Sequence, residues 1–227
     1  MKPTDASKLI ISTLSDKASV KQVVFNNTRE VMGCIRDVCR QLVESYNKEF
    51  RKMGNDPFFH FEERGIFESE LRIADDILIF DMHTNIFSFD KEHNIWDSTY
   101  VSKNELNSFC GIINIYNFLA DSFKYNRDDD LGYLIARIFV NRERHYFVEG
   151  KRQLGFLYND FEHAVCNNAA IRNIIESALL YSLDFDLLVP PYDNVKITSV
   201  ENVKKKNVKQ KTGKRLGFMF YTDDNRT

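Results

Sequence analysis

The sequence predicts an α+β fold: a mostly antiparallel sheet of five to seven strands, covered by two long helices, with a small β tail. Two segments carry the apolar spacing of helices, and the stretch between them reads as short strand-like runs. The chain of 227 residues also holds 19 Phe and 10 Tyr but only 9 Gly and 4 Pro. Aromatic residues favour strands, and few Gly and Pro leave few sharp breaks. The length suits one domain, residues 1–227.

The first predicted element is a long amphipathic helix over 16–53. Gly54 and Pro57 mark its end. The pattern fits a helix that packs on the sheet of its own chain, and it also fits a helix that pairs with a second copy in a homodimer. The apolar positions recur at spacings of three, four or seven and are Val20, Val24, Val31, Ile35, Val38, Leu42, Tyr46 and Phe50.

Strands are predicted between residues 58 and 159. The segment 91–108 is polar and predicts a loop held in place by Trp96, and the second half of 110–125 also suits a helix. The predicted strands are 58–62, 66–74, 77–89, 110–125, 131–140 and 145–149, with 153–158 extending the last hairpin.

A second long helix is predicted from Asn159 or Asp160, and a basic β-hairpin tail from 195 to 227. The order of helix, antiparallel sheet, helix resembles the layout of GAF and PAS sensory domains. The resemblance is one of layout alone. It implies a regulatory or ligand-sensing module.

The lack of a signal peptide or membrane span in the sequence, together with its cysteine usage, predicts a cytoplasmic protein without a membrane partner. The N-terminus lacks the apolar core of a signal peptide, and no apolar run reaches the ~18 residues of a membrane span. The four cysteines, Cys34, Cys39, Cys110 and Cys166, show no CxxC spacing, which predicts free thiols.

The common catalytic motifs are missing from the sequence. It contains no Walker loop, no GxGxxG, no GxSxG, no HExxH and no zinc-ligand spacing. We therefore predict no metal and no cofactor. The first functional hypothesis is a non-enzymatic regulatory, ligand-sensing or protein-interaction module.

Asp81, His83 and Asn85 form the candidate ligand-binding set. Alternate residues of a strand share one face, so the three side chains would lie together in the apolar strand 77–89. Polar groups in such a row need internal partners or a ligand. The alternative is a cluster satisfied within the sheet.

Asp130, Glu149 and Lys151 form a candidate catalytic set. The chain has an acidic residue before a predicted hairpin and a Glu-x-Lys at the end of that hairpin. This order resembles the core of PD-(D/E)xK nucleases. Two carboxylates would hold Mg²⁺ or Mn²⁺ while the lysine helps to activate water. A metal-dependent nuclease is therefore the alternative function, and a charged strand end without a ligand is the simpler interpretation.

The tail carries seven basic residues and no acidic one between positions 204 and 215. Without them, 24 basic residues face 33 acidic ones, a net charge of −9. This asymmetry is typical of tails that bind nucleic acid or an acidic partner, although a lysine-rich exposed hairpin is the alternative. The residues are Lys204, Lys205, Lys206, Lys209, Lys211, Lys214 and Arg215.

Overall fold

A six-stranded antiparallel sheet forms the centre of the protein, as seen in a computed structural model that describes residues 5–184 and the backbone of 187–188 and 218–219. Each strand pairs with the next one along the chain, so the sheet is a meander. The predicted α+β fold is confirmed. The strands are β1 (Phe59–Glu63), β2 (Glu68–Ile73), β3 (Asp76–Met82), β4 (Gly111–Leu119), β5 (Tyr133–Val140) and β6 (Tyr146–Gly150).

Two long helices, α1 (Asp5–Lys52) and α4 (Asn168–Asp184), cover one face of this sheet. The short helices α2 (Thr99–Lys103) and α3 (Ala120–Lys124) belong to its connections. The apolar stripe predicted for α1 is buried from Val20 to Leu42. It packs with one apolar side of α4 against alternate residues of the strands, and this is the main core.

The first helix is longer than predicted, because it begins at Asp5 and not near residue 16. Its first fifteen residues, 5–19, are almost wholly exposed and are called the overhang below. The helix ends at Lys52, close to the predicted end. Gly54 follows with φ 78°, the left-handed conformation that commonly ends a helix.

The second long helix is shorter than predicted. The side chain of Asn167 accepts a hydrogen bond from the backbone N–H of Ala170, and this cap starts the helix at Asn168 and not near Asn159. The apolar residues before it run along the outer edge of β6, where the Tyr146 N–H bonds to the Ala164 carbonyl. Residues 152–155 form a 3-10 turn in place of the predicted strand.

The second face of the sheet is called the outer face below. Short helices and turns cover it, and they form two separate apolar clusters. The predicted loop around Trp96 folds into α2 and two 3-10 turns over an aromatic cluster with Phe139 and Phe161. A separate apolar cluster forms where Ala120 of α3 meets Ile77 and Ile79.

Among the described residues, no helix is long and apolar enough to cross a membrane. The segment 187–188 forms a two-residue strand, β7, that pairs in parallel with another, β8, at 218–219. The rest of the predicted basic hairpin lies outside the described residues.

Candidate functional site

A row of polar side chains crosses the outer face between its two apolar clusters. The strand register aligns Glu68 with Asp81, Asp81 with Asn114, Asn114 with Arg137, and Arg137 with Glu149. Residues that pair across antiparallel strands point to the same face, so these five form one line from β2 to β6.

Contacts along this polar row link near neighbours. The Asn114 Nδ2 donates to Asp81 Oδ2 over 3.5 Å, and the Arg137 Nη1 lies 3.3 Å from Glu149 Oε2. Asp81 and Glu149 are three strand spacings apart, about 14 Å, so they do not act as a pair. Asn114 in the middle of the row is buried, and exposure rises from there towards β6, where the Glu149 side chain is 64% exposed.

The row ends in a cleft of about 610 Å³ beside β6. Three parts of the chain enclose it: the 3-10 turn around Asn94, the strands β5 and β6, and the segment 155–162. The residues used below are the aromatic His93, Phe139, Phe147 and Phe161 and the acidic Glu149, Asp160 and Glu162.

Aromatic rings form the floor of this cleft. Phe139 and Phe147 are stacked with ring centroids 4.6 Å apart, and Phe161 meets Phe147 edge-on at 5.2 Å. Phe89 packs against both strand residues and against the His93 ring. Phe139 and Phe161 are buried, whereas Phe147 is partly exposed, and all three line the cleft.

Three carboxylates stand on the rim of the cleft, and none of the thirteen lining residues is Lys or Arg. Glu162 accepts a hydrogen bond from Thr99 Oγ1 at 3.0 Å. The hydrogen bond from the His163 ring is the largest influence on Asp160 and lowers the pKa of its carboxyl. Asp160 is therefore ionised at neutral pH, which gives the rim a negative charge.

The backbone at the edge of β6 is already used within the protein. The Val148 N–H bonds to the Tyr158 carbonyl at 2.9 Å, and residues 145 and 165 form an isolated bridge. An added strand from a partner therefore has no open ladder to join here. Recognition in the cleft has to come from side chains.

The candidate set Asp81, His83 and Asn85 does not stay on one strand face, because β3 ends at Met82. Asp81 belongs to the polar row. The His83 ring packs against Phe87, and its Nδ1 accepts the backbone N–H of Asn85 at 3.0 Å. Asn85 lies in an exposed turn that faces Lys21 of α1. The alternation rule therefore placed Asp81 but not Asn85.

The structure places the predicted nuclease residues at three separate cavities. Glu149 lines the cleft, Lys151 lines a small cavity against α4, and Asp130 lines a third one with Phe118. Asp130 accepts a hydrogen bond from Ser122 Oγ at 2.7 Å and pairs with Arg127. Within the described part of the chain, no three His, Cys, Asp or Glu side chains are grouped to hold a metal ion.

The cysteines of the described region are free, as predicted, and three of them are buried. Burial raises the pKa of the Cys39 and Cys110 thiols far above the usual range and that of Cys166 to about 12. These thiols stay protonated at neutral pH, and a protonated thiol is a poor nucleophile.

Comparison of the chain with protein-family models, with curated proteins and with solved structures found no match. The site therefore has to be interpreted from its own geometry. Sequence reasoning named Asp81 for a ligand site and Glu149 for a nuclease site, and it named neither Phe147, Asp160 nor Glu162 as a site residue. The available signal was the Phe-x-Glu alternation of 147–149, which places a ring and a carboxylate on the same strand face.

Proposed function

We propose that the protein is a non-enzymatic ligand-sensing or protein-interaction module and that its binding site is the cleft beside β6. The observation that supports this most directly is the combination of an aromatic floor with a carboxylate rim in a volume of about 610 Å³. Small-molecule sites commonly measure about 300–1,000 Å³ and combine apolar walls with a few polar groups.

The surroundings of the carboxylates favour binding over catalysis. Glu149 is paired with Arg137, and Asp160 with His163. An acid or base catalyst usually has a pKa shifted towards neutrality, whereas the pKa of Asp160 is shifted away from it. The rim is therefore suited to constant negative charge.

A fragment screen by two-dimensional NMR on the ¹⁵N-labelled protein tests the proposal. We expect ligands to shift the amide signals of 147–149 and 159–162. Asn94→Trp places a bulky side chain at an exposed position of the cleft and should abolish these shifts. Asn55→Trp, exposed beyond α1, is the matched control and should leave them unchanged. Fragments that bind both variants equally would place the site elsewhere.

Two other functions stay predictions from the sequence. Metal-dependent nucleic-acid cleavage would use Asp130, Glu149 and Lys151, which line separate cavities. Binding of nucleic acid or an acidic partner would use the tail from Lys204 to Arg215, which lies outside the described residues. No contact in the described part of the chain favours either function over the cleft.

We also propose that the module is a homodimer and that the overhang of α1 is its interface. Leu9, Ile10 and Leu14 are each about 60% exposed there. Ile10 lies two heptads before Val24, so it continues the side of the helix that is buried further along. The overhang carries two acidic and two basic residues, so two copies meet without net repulsion.

A further inference from the structure

We infer that the cleft recognises a positively charged nitrogen on an apolar stem, such as a guanidinium or ammonium group. This inference rests on the proposed function, because it names the class of ligand for the same site.

Charge is the first argument. Glu149, Asp160 and Glu162 line the cleft without a Lys or Arg among the thirteen lining residues. Carboxylates at the mouth of a cleft raise the local concentration of cations and repel anions. The bound group is therefore cationic.

The arrangement of the floor is the second argument. Phe147 and Glu149 are alternate residues of β6, so their side chains project from the same face about 7 Å apart. A cation above the face of an aromatic ring is attracted by the ring's quadrupole. A ligand nitrogen over Phe147 is then within reach of the Glu149 carboxylate, and its stem contacts the ring floor.

A guanidinium of the protein itself already interacts with this rim. Arg137, opposite Glu149 in the register, has its Nη1 3.3 Å from Glu149 Oε2. The side chains are 43% and 64% exposed, and exposed pairs of this kind contribute little to stability. Arg137 is therefore a weak internal competitor that a ligand cation can displace from Glu149.

The test compares two ligands of nearly the same shape. Nα-acetyl-arginine amide carries a guanidinium, and Nα-acetyl-citrulline amide carries a neutral urea in its place. We expect the arginine ligand to bind in the cleft at least about tenfold more tightly than the citrulline ligand, the range of a desolvated cation–π contact with a charge pair. Increasing salt should weaken the arginine ligand selectively.

Variants of the rim and floor sharpen the test. Glu149→Gln, Asp160→Asn and Phe147→Leu should each weaken the arginine ligand about three- to tenfold. Arg137→Gln should strengthen it, because the competitor for Glu149 is removed. Glu44→Gln and Phe58→Leu make the same chemical changes at residues outside the cleft and should leave binding unchanged. The exposed Glu149 and Asp160 variants keep the test valid if Phe147→Leu fails to fold.

The source of the cation is distinguished by a second pair of probes. A free small cation is supported if butylguanidinium binds as tightly as the peptide acetyl-Gly-Arg-Gly-amide. A basic side chain of a protein partner is supported if the peptide binds at least about tenfold more tightly.

Equal binding of the arginine and citrulline ligands, or a preference of the cleft for neutral or anionic fragments, overturns the inference and leaves the proposed binding site unaffected. Absence of any fragment or cation from the cleft overturns the proposed function itself.

Discussion

Asn141 shows how one buried side chain can tie the cover of the outer face to a turn of the sheet. Its Oδ1 accepts the backbone N–H groups of Glu143 and His145, which shapes the turn between β5 and β6. Its Nδ2 donates to the Tyr100 hydroxyl at 2.9 Å, and that hydroxyl donates to Glu143. The segment over the outer face is thereby tied to the turn between β5 and β6.

Asp76, at the start of β3, has an unusual environment for a carboxylate. Burial, with a smaller contribution from Asp75, raises its pKa from 3.8 to about 6. The buried Asn117 amide beside it opposes this shift, although it meets no partner with good hydrogen-bond geometry. The folded state therefore holds a proton at Asp76 that the unfolded chain releases at lower pH.

This shift predicts a pH dependence of stability. The folded state binds more protons than the unfolded state between about pH 4 and pH 6, so stability falls as the pH rises through this window. We expect a loss of about 1–2 kcal/mol, discounted because Asp76 is partly exposed to solvent. Asp76→Asn should abolish this loss, as measured by urea unfolding across the window. Asp56→Asn, at an exposed position after α1, is the control, and a wild-type-like slope in Asp76→Asn would contradict the assignment.

At the scale of elements, α1 lies close against β4 at Gly111. A Cβ placed on Gly111 would lie 2.9 Å from the Thr28 Cβ of the helix, closer than real contacts allow. Thr28 is itself buried and hydrogen-bonded to the Val24 carbonyl, so it cannot move aside easily. The glycine therefore sets the distance between helix and sheet.

We predict opposite effects for two glycine substitutions on this helix–sheet pair. Gly111→Ala should lower the free energy of unfolding by about 1–3 kcal/mol, because it overpacks the contact with Thr28. Gly33 lies inside α1, and a Cβ placed on it would meet no atom within 4 Å. Gly33→Ala should therefore raise the free energy of unfolding by about 0.5–1 kcal/mol through helix propensity. Denaturant unfolding measures both. Equal effects of the two substitutions would show that the contact with Thr28 does not limit the packing.

The sequence predicted those helices and strands whose apolar spacing fits a single period. The apolar stripe of α1 and the pairing of β5 with β6 follow from spacing within each segment. The start of α4 did not, because Phe161 and Val165 fit a helical stripe equally well. The hydrogen bonds that hold residues 158–166 against β6 come from distant residues, and a local pattern cannot show them.

The candidate site was predictable to the same extent. Alternation along β6 puts Phe147 and Glu149 on one face, and alternation along β3 assigns a face to Asp81. The alignment of Asp81 and Glu149 in one row requires the register of four strands, and Asp160 enters only through the fold of the 155–162 segment. Composition and spacing contain neither piece of information.

At the scale of the whole molecule, the two faces of the sheet are covered differently. The helix-covered face holds the main core, with large side chains such as Phe80 and Met32 fully buried. The outer face carries two smaller apolar clusters, and no long helix in the described part of the chain covers it. The polar row lies between these clusters, and the cleft lies at the end of the row. Stability is thus concentrated away from the proposed site, where ligand-induced adjustment costs less.

The overhang of α1 supplies the last prediction. Fifteen residues extend about 22 Å beyond the buried part of α1 and expose Leu9, Ile10 and Leu14, so a second surface over this side would remove apolar area from water. We expect a dimer in sedimentation-velocity experiments over a concentration series. Ile10→Glu, on the side that continues the buried stripe, should weaken the dimer at least about tenfold because it buries a charge.

Ile11→Glu is the matched control for this experiment. It changes the same residue type one position later, rotated about 100° away from the buried stripe, and it should leave the dimer intact. A monomer at every concentration of the wild-type chain would remove the overhang as an interface. Only Ile10 lies on the same side of α1 as Val24 and Val31. Equal disruption of the dimer by both variants would therefore show that the interface involves the whole circumference of the helix and not the apolar stripe alone.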